Sequence, residues 1–106
     1  MKDYKFIKLV KLGQGEVKKY RAVFRNRKTG REKNIKFGRA GMDDYLGHKD
    51  DERKKRFLSR FNKTIKKNIN NPLSPMWWST YLLWNETTYQ ASFKDIKSRL
   101  SKLGYL

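Results

Sequence analysis

The one histidine of the chain, His48, stands among ligand-type side chains, with Asp43 and Asp44 before it and Asp50 and Asp51 after it. Imidazole and carboxylate together hold divalent cations or pass protons, so a metal site or an acid–base pair is sought here first. The spacing argues against both. A calcium loop sets carboxylates at alternate positions and closes with a Glu, and this run does neither. The adjacent letters His48-Lys49-Asp50 also differ from the spaced phosphodiesterase motif built from the same letters. With no cysteine anywhere, a disulfide scaffold and Cys-based zinc sites are excluded. Carboxylates this dense ahead of a helical pattern suit a helix amino terminus, where free N–H groups and the helix dipole favour negative charge. The segment is therefore read as a cap. No catalytic residue, metal ligand or cofactor is expected.

Two further segments have the residue types of a binding site. Leu12-Gly13-Gln14-Gly15-Glu16-Val17 has the first two glycines of the loop that protein kinases fold over phosphates. Lys18 stands where the third Gly belongs, and the catalytic-loop and metal-binding motifs are missing. The loop is read as a hairpin turn that uses Gly for positive φ. Trp77, Trp78, Tyr81 and Trp84 are aromatics of the kind that stack single-stranded nucleic acid. Met76 to Trp84 contains no Lys or Arg, however, and its apolar residues surround the helix, which places it in a core. The alternative is a protein interface that uses one exposed Trp.

What remains is charge. The chain has 27 Lys and Arg against 10 Asp and Glu, a net +17 on 106 residues. An excess of that size meets a polyanion or an acidic protein surface. It is concentrated in two places. The first 40 residues carry 14 basic and 3 acidic side chains, among them Lys18, Lys19, Arg21, Arg25, Arg27 and Lys28. The second place is a run containing Arg53, Lys54, Lys55, Arg56, Arg60, Lys63, Lys66 and Lys67, with no acid between Arg53 and Lys67. Without interspersed carboxylates for i,i+4 pairing, that run is a binding face for phosphates or acidic protein.

The elements that must position these side chains follow from periodicity. Tyr4 to Leu12, Glu16 to Arg25 and Lys33 to Phe37 are rich in strand-favouring residues and are separated by Gly13-Gln14-Gly15 and by the turn Asn26 to Glu32. They predict a three-stranded antiparallel meander with one apolar and one basic face. A loop from Gly38 to Gly47 leads to a basic amphipathic helix from Arg53 to Ile65, capped by Asp50-Asp51-Glu52. Ser74-Pro75 starts a Trp-rich helix to about Asn85. Ser92 with Asp95 resembles a capping box for a third helix striped by Phe93, Ile96, Leu100 and Leu103. The fold class is α+β: a sheet of about three strands followed by three helices, the Trp-rich one central. One domain over residues 1–106 is expected, with the meander in 1–38 and the helical part in 50–103. The alternation of Lys with apolar residues from Met1 to Leu12 gives neither a signal peptide nor a membrane span.

The blocks Lys36-Phe37-Gly38, Gly41, Asp44-Tyr45, His48-Lys49-Asp50, Arg53-Lys54, Phe57 and Arg60, followed by Asn71-Pro72-Leu73-Ser74, Trp84-Asn85, Thr88 and Ser92, resemble a family of small basic proteins of nucleocytoplasmic large DNA viruses. The resemblance covers residues 33 to 100. It implies a virion protein, present in the host cytoplasm or nucleus during assembly, and a structural or packaging role. It also implies that the matching blocks fix the fold around Tyr45, His48 and Trp84. The expected function is that of a non-enzymatic minor capsid component whose basic surfaces hold acidic surfaces of capsid proteins. The alternative is packaging of duplex DNA through its phosphates, with little sequence selectivity. Self-association is left open.

Overall fold

The computed structural model describes residues 2–106; residue 1, where the expected domain begins, lies outside them. Strands β1 (Tyr4–Lys11), β2 (Lys18–Asn26) and β3 (Glu32–Arg39) form an antiparallel meander in the order β1-β2-β3. The β1–β2 turn reverses at Gly15, whose φ of +88° suits Gly. The register pairs Phe6 with Phe24, Leu9 with Ala22, and Ala22 with Ile35, so these side chains share one face. A shift between Phe6 and Lys8 leaves Ile7 as an extra residue. That bulge is what lets Phe6 and Leu9, three positions apart, face the same way.

Helices cover the apolar face. After a short turn α1 (Tyr45–His48) come α2 (Asp51–Arg60) and α3 (Asn62–Lys67). The continuous helix expected from Arg53 to Ile65 is broken at Phe61, whose φ and ψ of −103° and 16° leave the helical region. Asp50 caps α2 by accepting from the N–H groups of Glu52 and Arg53. The Trp-rich segment is one turn of α-helix, α4 (Pro75–Trp78), capped by Ser74, that widens into a π-turn over Ser79–Leu83. The N–H of Trp84 closes that turn on the carbonyl of Ser79. Helix α5 (Tyr89–Leu103) starts earlier than the expected capping box. Thr88 is its cap, accepting from the N–H of Ala91. Ser92 is instead fully buried and accepts from the N–H of Glu86 at 3.0 Å, while Asp95 pairs with Arg99 at 2.8 Å. The expected α+β order holds, with the second of the expected three helices short and the first divided.

The core lies between sheet and helices. Phe6, Phe24 and Phe37, one from each strand, have ring centroids 5.6, 6.2 and 5.7 Å from that of Trp78, whose exposure is 0%. The Trp78 indole N–H donates to the carbonyl of Pro72 at 2.7 Å, so its polar atom is satisfied. Leu82, Ile96 and Leu100 complete the packing. Helix α5 ends at Gly104, in the left-handed region at φ 86°, and turns the chain back along β1, where the N–H of Phe6 donates to the carbonyl of Tyr105 at 2.7 Å. Part of an open sheet edge is thereby covered.

Two predictions follow from this packing. Gly38, at φ +74°, has space for a Cβ only 2.8 Å from Leu83 Cδ1. Gly38→Ala is expected to cost about 1–3 kcal/mol, for strained backbone and the displaced Leu83 together. A thermal melt equal to that of the native chain would contradict this. Burial pushes the phenols of Tyr20, Tyr89 and Tyr105 up from their ordinary value, and for Tyr20 the neighbouring Tyr89 and Asp44 add to it. A phenol whose folded pKa lies above its unfolded one contributes stability that is complete below about pH 10 and is lost as pH rises past it. Chemical denaturation is expected to show stability falling from about pH 10 upward. Phenolate absorbance should lag behind that of the unfolded chain.

Candidate polyanion-binding surfaces

The face of the sheet turned from the core carries three cross-strand rows. Lys5, Arg25 and Glu32 form one, Lys8, Val23 and Asn34 the next, and Val10, Arg21 and Lys36 the third. Five cations thus share a face with one carboxylate, and only Arg25 meets it, at 3.3 Å. Lys5, Lys8, Arg25 and Lys36 are exposed. Arg21 lies between them in the central strand, directly opposite Lys36, and its Nε is buried without a hydrogen-bond partner. Like charges facing one another across a sheet repel, so this face gains from an anion that bridges them.

A second basic surface forms where α2 approaches the ends of β2 and β3. A groove of about 810 Å³ opens there, floored by Leu83, Phe57, Phe61 and Trp84. Arg39, Arg53, Arg56 and Arg60 line it, with Met42 on the rim at 60% exposure. Among the described residues Arg39, Arg56 and Arg60 form no ion pair, while Arg53 lies 3.9 Å from Asp43. Helix α2 buries no residue completely; besides the bond from the Tyr45 hydroxyl to Asp51, two contacts tether it to the Trp-rich segment. Phe57 stacks on Trp84 with centroids 4.4 Å apart and planes 3° from parallel. The ammonium of Lys54 donates to the carbonyl of Asn85 and lies 4.8 Å above the Tyr45 ring.

These positions sort the cations singled out in the sequence. Arg21 and Arg25 fall on the sheet face, joined by Lys5, Lys8 and Lys36, which alternation along the strands points to once the bulge at Ile7 is known. Arg53, Arg56 and Arg60 fall on the groove, joined by Arg39, whose approach to α2 has no signal in the sequence. Lys55, Lys63, Lys66 and Lys67 are exposed along α2 and α3, and Lys18 is exposed at the start of β2. Lys28 sits in the β2–β3 turn, where its N–H donates to the Asn26 side chain. Three cations serve the fold instead. Lys19 reaches Asp44 at 2.6 Å and the carbonyl of Met42. Arg27 donates to the carbonyls of Lys2, Gly104 and Leu106, clasping both ends of the described chain. Lys54 is the third, through Asn85.

The acidic run around His48 is used in the same structural way. Asp44 caps α1 through the N–H of Gly47, Asp50 caps α2, and Asp51 accepts from the Tyr45 hydroxyl at 2.6 Å. His48 Nδ1 accepts from the N–H of Asp50 at 2.9 Å, and its ring lies 5.2 Å from Trp84. Among the described residues no three of His, Cys, Asp and Glu converge as a metal site would require, and no helix is long and apolar enough to cross a membrane. Gly13 lines a smaller cleft of about 310 Å³ with Lys11 and Lys18, which adjoins the groove at Lys19 and Asp44.

Because Trp84 holds α2, Trp84→Ala is expected to cost about 2 kcal/mol, below the range for a fully buried Trp. Trypsin should then cut between Arg53 and Lys67 at least about tenfold faster, with cleavage inside the sheet much less affected. Uniform acceleration along the chain would show that α2 and the core open together.

In comparison with known proteins, the model of a family described as a family of unknown function, DUF5754, matches residues 7–61. No curated protein and no solved structure matches. The matched span runs from the bulge in β1 to the break after α2, and so includes most of both basic surfaces.

Proposed function

We propose, for this chain, which belongs to the family of unknown function DUF5754, a non-enzymatic role as a small basic structural protein that holds acidic protein surfaces, as a minor component of a large DNA virus particle. The observation that carries it is the sheet face: Lys5, Lys8, Arg21, Arg25 and Lys36 against the single carboxylate of Glu32. Those charges are fixed in rows by the strand register and held on the rigid side of the core. Such an array needs no rearrangement to meet a surface of opposite sign. The resemblance of residues 33 to 100 to small basic proteins of large DNA viruses supplies the particle, and capsid protein is the acidic partner this reading names. The groove beside α2 supports protein as the partner, because apolar and arginine side chains together are what a protein interface concentrates.

The second reading, packaging of duplex DNA, is favoured by the sheet face taken alone, which exposes Lys and Arg without a large apolar side chain. Phosphates would be neutralised there without regard to sequence. Both readings make Lys8, Arg21 and Lys36 the binding residues.

The test is a salt titration of the native chain and of the triple variant Lys8→Ser, Arg21→Ser, Lys36→Ser against polyglutamate and against random-sequence duplex DNA. The variant is expected to lose at least about tenfold in affinity for polyglutamate. DNA binding should fall with a log–log slope near ~0.9 per phosphate contacted and be weak at ~0.15 M salt. Tight duplex binding at that salt would put the packaging reading in first place. Equal binding by native chain and variant would remove the sheet face from either.

A further inference from the structure

The groove beside α2 has a composition that charge alone does not explain. Its floor of Leu83, Phe57 and Phe61 is apolar, Met42 on its rim is an exposed large hydrophobe, and three arginines that form no ion pair among the described residues stand around it. The two carboxylates that line it are already engaged, Asp44 by Lys19 at 2.6 Å and Asp43 by Arg53 at 3.9 Å. Arg39, Arg56 and Arg60 are therefore the charges it presents. A partner has to offer carboxylates or phosphates to them and something apolar to the floor.

We propose that this groove is a docking site for an acidic segment of another protein that carries one aliphatic or aromatic anchor, its carboxylates meeting Arg39, Arg56 and Arg60 and its anchor lying against Leu83, Phe57 and Phe61. The assignment extends the acidic-partner reading given above, but it stands on a different surface. Arginine suits it because the guanidinium fork takes a carboxylate with two parallel hydrogen bonds and loses little hydration beside apolar groups. The volume of about 810 Å³ accepts a large side chain together with the backbone that bears it.

The aromatic geometry separates this partner from a nucleic-acid strand. Stacking a base requires an open ring face. Trp84 gives one face to Phe57 at 4.4 Å and has His48 at 5.2 Å. Phe61 has Phe57 at 4.9 Å and the Arg60 guanidinium at 5.2 Å. The rings are packed against one another and against a cation, and with Leu83 and Met42 they make an apolar surface for an aliphatic or aromatic side chain. A second copy of this chain is a poor occupant as well. It carries +17, and its one acidic run is committed to capping and to Tyr45.

The experiment uses the full chain at ~0.15 M salt and three fluorescein-labelled probes: a short Glu-rich peptide with two central Leu, the same peptide with Ser in their place, and an oligo-dT of matched charge. The Leu peptide is expected to bind at least about tenfold tighter than the Ser peptide, the ratio that burial of one Leu provides. Arg56→Ser with Arg60→Ser should remove at least about tenfold of that affinity. Met42→Ser should weaken the Leu peptide and leave the Ser peptide unchanged. Lys8→Ser with Lys36→Ser, on the sheet face, should weaken the Ser peptide, which offers charge alone, while the Leu peptide loses less than it does in the groove variant. All five replaced side chains are exposed, and melting points equal to the native value will show that each variant is folded. Equal binding of the Leu and Ser peptides, or equal losses in the groove and sheet variants, would overturn the site and leave the sheet face as a general polyanion surface. Tighter binding of oligo-dT that is lost in the groove variants would overturn it in favour of a nucleic-acid strand. Conversely, a sheet face that fails to bind polyglutamate, with the groove behaving as expected, would remove the earlier reading and leave this one standing.

Discussion

One indole holds this fold together. Trp78 touches a phenylalanine from each of the three strands and closes its N–H on the carbonyl of Pro72. A three-stranded meander has a single layer of backbone hydrogen bonds and is stable only when one face is buried against something else. Trp78 and Trp77 are that second layer at its centre, and α5 extends it through Ile96 and Leu100. The bulge at Ile7, the π-turn after Trp78 and the return of the chain at Gly104 all serve the same packing. Each aims a large side chain at a core too small to be filled by regular elements alone.

The economy of that core explains where the charge goes. With Trp, Phe, Ile and Leu concentrated on one side of the sheet, the other side carries five Lys and Arg around Val10 and Val23, and mutual repulsion there opposes folding. Other cations are bound within the fold. Lys19 is paired with Asp44, Arg27 clasps three carbonyls, and Lys54 is spent on Asn85. Of the remainder, one group shares the sheet face and another lines the groove, while Lys63, Lys66 and Lys67 are exposed along α3. The groove in turn exists because α2 is held at its edge, by Phe57 on Trp84, Lys54 on Asn85 and Asp51 on Tyr45, with nothing on it completely buried.

Much of this was legible in the residues. Alternation and turn chemistry gave the three strands, Asp50 and Ser74 marked their helix starts, and a Trp-rich segment without Lys or Arg pointed to the centre of the core. Three features were not legible for physical reasons. Phe61 continues the helical period of Phe57, so the break after Arg60 is invisible to periodicity. Thr88 and Ser92 are both good caps, and only the burial of Ser92 against the Glu86 N–H decides between them. The groove depends on Arg39 meeting Arg56 and Arg60 across some twenty residues of intervening chain, a distance that no local pattern reports. Among the named cations, residue type identified the class of surface, but the hydrogen bonds of Lys19, Arg27 and Lys54 decided which of them were free.

The span shared with DUF5754, residues 7–61, divides the molecule unevenly. It holds most of the sheet, the acidic capping run and α2, and therefore the arginines of the groove and all but Lys5 of the sheet-face cations. It lacks Trp77, Trp78, Ile96 and Leu100, without which Phe24 and Phe37 would face water. Residues 7–61 alone expose the apolar face of a meander, and such a sheet needs a covering layer to be stable. In this chain that layer comes from residues 75–105. The two basic surfaces and most of the residues that make them rigid thus lie in different parts of the sequence, joined by Trp78 beneath the sheet, by Trp84 beneath α2, and by the contacts of Tyr20 with Tyr89 and of Phe24 with Tyr105.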